Sequence, residues 1–306
     1  MTVVPRGEPA GDIGSRPTVE LALEGQPRDL GGGFSVRRVL PAIARRMVGP
    51  FAFFDHMGPV ALEPGRGMDV RPHPHINLAT VTYLFDGEIL HRDSLGTEQP
   101  IQPGAVNWMT AGRGITHSER STAAARKAGA RVHGLQLWVA LPKAEEEVEP
   151  SFQHVRQDAV PTVDLPGARA RVIAGAVYGV ASPVRVSSPL FYVEAQLEPG
   201  ATLALPDGHA ERAVYVVEGA VICDDDVPYR AGTMLVIRAG SRAEVRALEG
   251  ARLMLLGGAP LDGERYIWWN FVSSSPERIE VAKREWRERR FARIPGDDDE
   301  RIPLPG

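Results

Sequence analysis

Two short patterns constrain this chain more than anything else in it: His73-Pro74-His75 and His117-Ser118-Glu119. Each carries its chemistry at positions i and i+2, which a β-strand turns to one face. Two neighbouring strands would therefore aim three imidazoles and one carboxylate at a single point. Three nitrogen donors and one hard oxygen donor suit a divalent transition metal such as iron, manganese, cobalt, nickel or zinc. The expectation is a strand-built protein with His73, His75, His117 and Glu119 as metal ligands. Two unrelated pairs on a solvated face are the blander explanation. Four donors in phase, preceded by glycine-bearing turns, argue against it.

The rest of the sequence suits strands. Its 32 glycines and 26 prolines exceed a helical protein's needs and fit short strands joined by tight turns. A length of 306 residues suggests two domains. The net charge of −4 gives no sign of a nucleic-acid partner held by bulk charge. The single cysteine, Cys223, excludes an intrachain disulfide and a cysteine-rich metal site. It lies beside Asp224-Asp225-Asp226, with no base to make it a nucleophile. The first residues lack the apolar stretch of a signal peptide, and no apolar run is long enough to span a bilayer. A cytoplasmic protein is expected.

Strands are predicted at 19–23, 34–40 and 51–57, and densely from there to 141, after a disordered start. Residues 142–165 read as a crossing connection with little core content. Further strands are predicted at 190–197, 213–218, 233–238 and 251–256. The stretch 205–219 is a faded echo of 75–87, and 229–237 echoes the second pattern, which makes a domain-scale repeat. The second copy keeps only His209 and is expected to be metal-free. A helix is predicted over 276–291, opened by Pro276 and Glu277 after a serine run, with Lys and Arg towards its end. Ile279, Val281, Ala282 and Trp286 would pack, and the acidic tail Asp297–Glu300 would be solvated. The expected layout is a metal-carrying barrel at 18–141, a connection at 142–167, a metal-free barrel at 168–260 and a C-terminal segment at 261–306.

The order Gly67-x5-His73-x-His75, a β-rich run from Thr80 to Phe85, Asp86-Gly87, then Gly112-Arg-Gly-Ile-Thr-His117 resembles the two motifs of the cupin superfamily. The runs 71–75, 83–96, 107–119, 134–138 and 267–275 resemble, more narrowly, the pirin family over nearly the whole chain. The resemblance implies an all-β fold: two tandem cupin barrels (antiparallel jelly rolls) packed together, with a short C-terminal helix. General cupins place a glutamate shortly after the histidine pair, whereas the in-phase position here is Ala79. In pirins the carboxylate comes from the position of Glu119.

The cofactor so implied is one divalent metal, foremost iron(II), with manganese, cobalt, nickel, copper or zinc as alternatives. Glu119 would also be catalytic, taking the proton of an acidic hydroxyl. The activity implied is oxidative opening of a flavonol such as quercetin with O2. The competing reading is an iron-dependent redox sensor that binds a transcription factor or metabolic enzyme without turnover. Neither nucleic acid nor membrane is expected to bind directly. A monomer is expected, since two fused barrels supply what many cupins obtain by dimerising.

Asn77, Val81, Tyr83 and Phe85 share the parity of the histidine pair and are expected to face the barrel interior. Trp108, Met109, Gln136 and Trp138 are candidate walls. His91 reads as satisfied by Asp93 in preference to lining the pocket. His56 belongs to a pocket mouth or a strand end, and His133 and His154 are structural or surface groups. The clusters 31–33 and 257–258 are read as turns.

Overall fold

A computed structural model describes residues 17–29, 35–224 and 226–306. The expectations for the chain start, Phe34, the 31–33 cluster and Asp225 lie outside the described residues. The chain is all-β, with each half built from one large and one small antiparallel sheet. In the N-terminal half a seven-stranded sheet runs in the order Ser151–Val155, Val106–Thr110, Leu78–Asp86, Ala130–Ala140, Phe51–Leu62, Ser35–Leu40, Gln26–Asp29. The facing sheet has four strands: Asp69–His75, Ile115–Arg120, Ile89–Asp93 and Glu98–Ile101. The C-terminal half repeats the plan with eight-stranded and four-stranded sheets.

The two large sheets pack against each other. Ala79, Val81, Tyr83, Trp108 and Leu137 from one half meet Tyr192, Tyr215, Met234, Val236 and Leu256 from the other in a single buried cluster. Strands of these sheets are thus covered on both faces, which is why Leu78 to Leu84 are buried without a break. Apolar side chains such as Val214, Val216, Leu235, Leu253 and Leu255 fill the C-terminal barrel together with Cys223.

Three strands depart from the expected layout. Val19–Glu24, placed by the sequence in the first barrel, pairs with Thr233–Ile237 of the second and covers an edge that would otherwise be open. The crossing connection is not featureless either. Ser151–Val155 extends the first large sheet by pairing with Val106–Thr110, while Thr162–Leu165 pairs with Ala168–Val177.

The C-terminal helix spans Pro276–Arg287 and starts where the Ser275 hydroxyl accepts the Arg278 N–H at 3.2 Å. Ile279, Ala282 and Trp286 pack it onto Ile76 and Phe271. It stops short of the expected 291, Arg289 having a φ of 57°. A second, six-residue helix, Ala123–Ala128, is capped by Thr122. The acidic tail is not simply solvated. Asp297 is held by the guanidinium of Arg120 and the hydroxyl of Ser118, which leaves its side chain 10% exposed. Among the described residues no helix is long and apolar enough to cross a membrane.

Candidate metal centre

The small N-terminal sheet brings the two sequence patterns together. Asp69–His75 and Ile115–Arg120 run antiparallel, with His117 opposite His73 and Ile115 opposite His75. The chain reaches the second strand through a turn at Gly112, whose φ is 48°. A Cβ there would lie 1.9 Å from the Val148 carbonyl oxygen, so only glycine fits. One ring nitrogen from each of His73, His75 and His117 lies within 4.8 Å of the others, and all three side chains are buried.

A slip in register explains how these rings are aimed. Between His117 and Glu119 the pairing jumps from His73 to Val70, past Arg71 and Pro72. Proline has no N–H for the ladder, so a bulge forms there and two carbonyls turn to other uses. The Arg71 carbonyl accepts from His73 Nδ1 at 2.8 Å, and the Pro72 carbonyl accepts the Ile302 N–H at 2.9 Å. His75 Nδ1 donates to the Asn270 carbonyl at 3.1 Å. With both Nδ1 atoms carrying the proton, His73 and His75 present Nε2 as lone-pair donors.

His117 has no hydrogen-bond partner on either ring nitrogen. Buried polar atoms are rarely left so, and a cation at the centre of the triad would supply the missing partner. Burial also holds the rings neutral, the form that binds metal. It lowers the His73 pKa to about 4 and those of His75 and His117 well below the usual value. The residues present therefore fit a transition metal.

Glu119 lies on the same strand face, opposite His91 of the next strand. It lines a cavity together with His73 and His75 but is not part of the mutually close set of nitrogens. Burial raises its carboxyl pKa against the smaller lowering effects of His91 and the Thr82 hydroxyl. Thr82 Oγ1 lies 3.1 Å from Glu119 Oε1 and 2.7 Å from Gln136 Oε1, and its one proton serves one of them at a time.

The cavity measures about 390 Å³. Its wall is a continuous stack. Arg38 lies over Phe53 at 4.4 Å, Phe53 stacks on Trp138 at 4.0 Å, and the Trp138 edge meets His75 at 5.1 Å. Arg38 is forked onto the buried Asp55 through bonds of 2.9 and 2.8 Å. Trp269, Asn270 and Ile302 reach the cavity from the C-terminal segment. Sequence reasoning named Gln136 and Trp138 but missed Arg38, Phe53, Asp55 and these three. The run at 267–275 carried a signal for Trp269 and Asn270; Ile302 had none.

The alternation of faces breaks after His75. Asn77 adopts a φ of 57° and turns its amide to the Glu146 carbonyl and Glu147, so the strand that follows restarts in opposite phase. Thr82 consequently faces the metal site, while Val81 and Tyr83 join the seam between barrels and Phe85 packs against it. Tyr83 donates there to Glu194. Trp108 also belongs to the seam, and Met109 lies in a separate cluster beside Trp138.

His91 does pair with Asp93, at 3.1 Å, and its ring also stands 5.3 Å from that of His117. His56 is at neither a mouth nor an end. It is buried at the seam, with Nδ1 2.7 Å from the Tyr215 hydroxyl and Nε2 2.8 Å from His133 Nε2. His154 is bonded to Asn107 at 2.6 Å. His209 packs its ring against Phe191 at 4.9 Å.

Comparison with known proteins supplies the family of the chain. The family model described as Pirin matches residues 33–139, and that described as Pirin C-terminal cupin domain matches 192–292. A pirin-like protein of Caulobacter vibrioides is 51% identical over 290 residues, covering 94% of this chain and 99% of that protein. Human pirin is 31% identical over 283 residues, covering 90% of this chain and 94% of its own. The crystal structure of a quercetin 2,3-dioxygenase from Acinetobacter baumannii superposes with a TM-score of 0.86 at 32% identity, covering 94% of this chain and 95% of that one.

Proposed function

The chain belongs to the pirin family, and on that premise we propose that it is a metal-dependent dioxygenase that opens a flavonol such as quercetin with O2 at a mononuclear iron(II) centre. One observation carries the reading. Three buried imidazoles converge, one of them with both nitrogens unpartnered, and the other two, His73 and His75, line an aromatic-walled cavity large enough for a flat ligand. His73, His75 and His117 would hold the metal, with Glu119 as a fourth ligand. When bound, iron(II) supplies open positions that bring an enolate oxygen and dioxygen together.

The chain's own residues would do the rest. Trp138 and Phe53 offer stacked faces to a planar ring. Glu119 would accept the 3-hydroxyl proton at a carboxylate oxygen. The Thr82 hydroxyl, 3.1 Å from Oε1, orients that carboxylate. The stacked rings of Phe53 and Trp138 would limit water on their side of the reacting centre. A non-catalytic redox sensor would favour a sealed site, and the cavity beside His73 and His75 supports turnover instead.

The test is anaerobic reconstitution with iron(II), followed by oxygen and quercetin. Loss of the flavonol absorption band that requires both the metal and the protein is expected. A band that persists in the iron-loaded protein would exclude this substrate.

A further inference from the structure

Residues 297–302 bind both ligand-bearing strands. Asp297 Oδ2 accepts from Ser118 Oγ at 2.7 Å and Arg120 Nε at 2.9 Å, while Oδ1 accepts from Arg120 Nη2 at 2.8 Å. Ser118 lies between His117 and Glu119, with its side chain on the opposite face of the strand. Five residues on, the Ile302 N–H bonds the Pro72 carbonyl, next to His73, and the Ile302 carbonyl accepts Trp286 Nε1–H at 2.9 Å. Ile302 then lines the cavity together with His73, His75 and Glu119. Glu300 adds ion pairs to Arg120 at 3.2 Å and Arg71 at 3.8 Å. The segment thus passes from the back of the small sheet to the wall of the cavity, pinned at both ends.

We propose that residues 297–302 are a strap forming one wall of the ligand cavity, in which Ile302 sets the size of ligand that reaches the metal position and Asp297 holds the strap to the His117–Glu119 strand. The inference rests on reading the cavity as a ligand site, but not on quercetin being the substrate. A hydrophobic side chain held by its own backbone bonds makes a fixed wall, because it cannot withdraw without losing them. Asp297 is the anchor, since its side chain accepts three charge-assisted or hydroxyl bonds from two residues of a ligand strand. It is a positioning residue and does not touch the ligand.

The experiment uses the full-length protein loaded with cobalt(II) and a size series of oxygen chelators: catechol, 3-hydroxychromone and 3-hydroxyflavone. Binding is read from the cobalt visible spectrum. Ile302→Trp is expected to weaken the largest chelator about tenfold or more while leaving catechol within about twofold, the scale of an overpacking penalty. Ile302→Ala is expected to shift selectivity the other way. Asp297→Asn is expected to mimic Ile302→Ala and to speed cobalt loss to excess chelator about tenfold, an effect a passive tail would lack. Unchanged size selectivity in folded Ile302→Trp and Ile302→Ala proteins overturns the proposal. Size selection in cobalt protein whose iron form leaves quercetin intact would sink the proposed activity alone and keep the strap.

Discussion

His73 and His117 face each other across one antiparallel register pair, with ring centroids 4.3 Å apart. A metal would give a partner to one of the two unsatisfied nitrogens of His117, and a leucine in its place would remove both. His117→Leu is therefore expected to lose metal, with occupancy by elemental analysis falling about tenfold or more. The metal-free variant should unfold in urea no more easily than metal-free wild type, and up to about 1 kcal/mol less easily, because a buried unpaired polar group is gone. Full metal occupancy in this variant would remove His117 from the ligand set.

Thr82 and Tyr83 are neighbours with opposite assignments, one facing Glu119 and the other the seam. Thr82→Val is expected to reduce turnover with little change in stability. Tyr83→Phe leaves Glu194 short of a buried donor and should cost about 1–3 kcal/mol in denaturant unfolding, with turnover unchanged. The reverse pattern would restore the phase that Asn77 breaks.

Asp55 is buried and relies on the Arg38 fork. Burial raises its pKa, and the Arg38 hydrogen bond and charge act against that rise. Arg38→Met strands the carboxylate and also removes the cation over Phe53. A loss of about 2 kcal/mol is expected by urea titration, allowing for solvent contact at the arginine. An Arg38→Met, Asp55→Leu double variant should recover part of it.

His56 and His133 share one short contact inside the seam, which allows both to be neutral but not both charged. Burial foremost, then His133 and Arg37, lowers the His56 pKa to about 3, and burial lowers that of His133. The folded form therefore binds fewer protons than the unfolded chain below the ordinary histidine value of 6.5. Their contribution to stability is complete above that pH and is lost as pH falls towards the folded value. The slope is at most about 1.4 kcal/mol per pH unit, the value for one proton taken up by His56. His56→Phe should flatten unfolding free energy against pH between about pH 6.5 and about pH 4. An unaltered slope would place the acid sensitivity elsewhere.

Much of the protein is legible in the chain itself. The i, i+2 spacing of His73, His75, His117 and Glu119 declares strands and a candidate metal site, because strand geometry leaves side chains only two faces to choose between. The echo of 75–87 in 205–219 declares two barrels. The serine run before Pro276 declares a helix start, since capping is a local matter.

What stayed hidden depends on residues far apart in sequence. Parity carried the reading as far as His75, and one left-handed residue, Asn77, reversed it, since its turn is stabilised by Glu146 and Glu147 about seventy residues on. Ile302 shows no pattern, yet a backbone bond to Pro72 puts it in the cavity wall. Val19–Glu24 reads as a strand of its own half and finds its partner in the other. Local periodicity thus determined which segments are strands and which side chains could bind a metal. Tertiary pairing alone decided what covers the site, because a backbone N–H or a sheet edge accepts any partner that packing brings within reach.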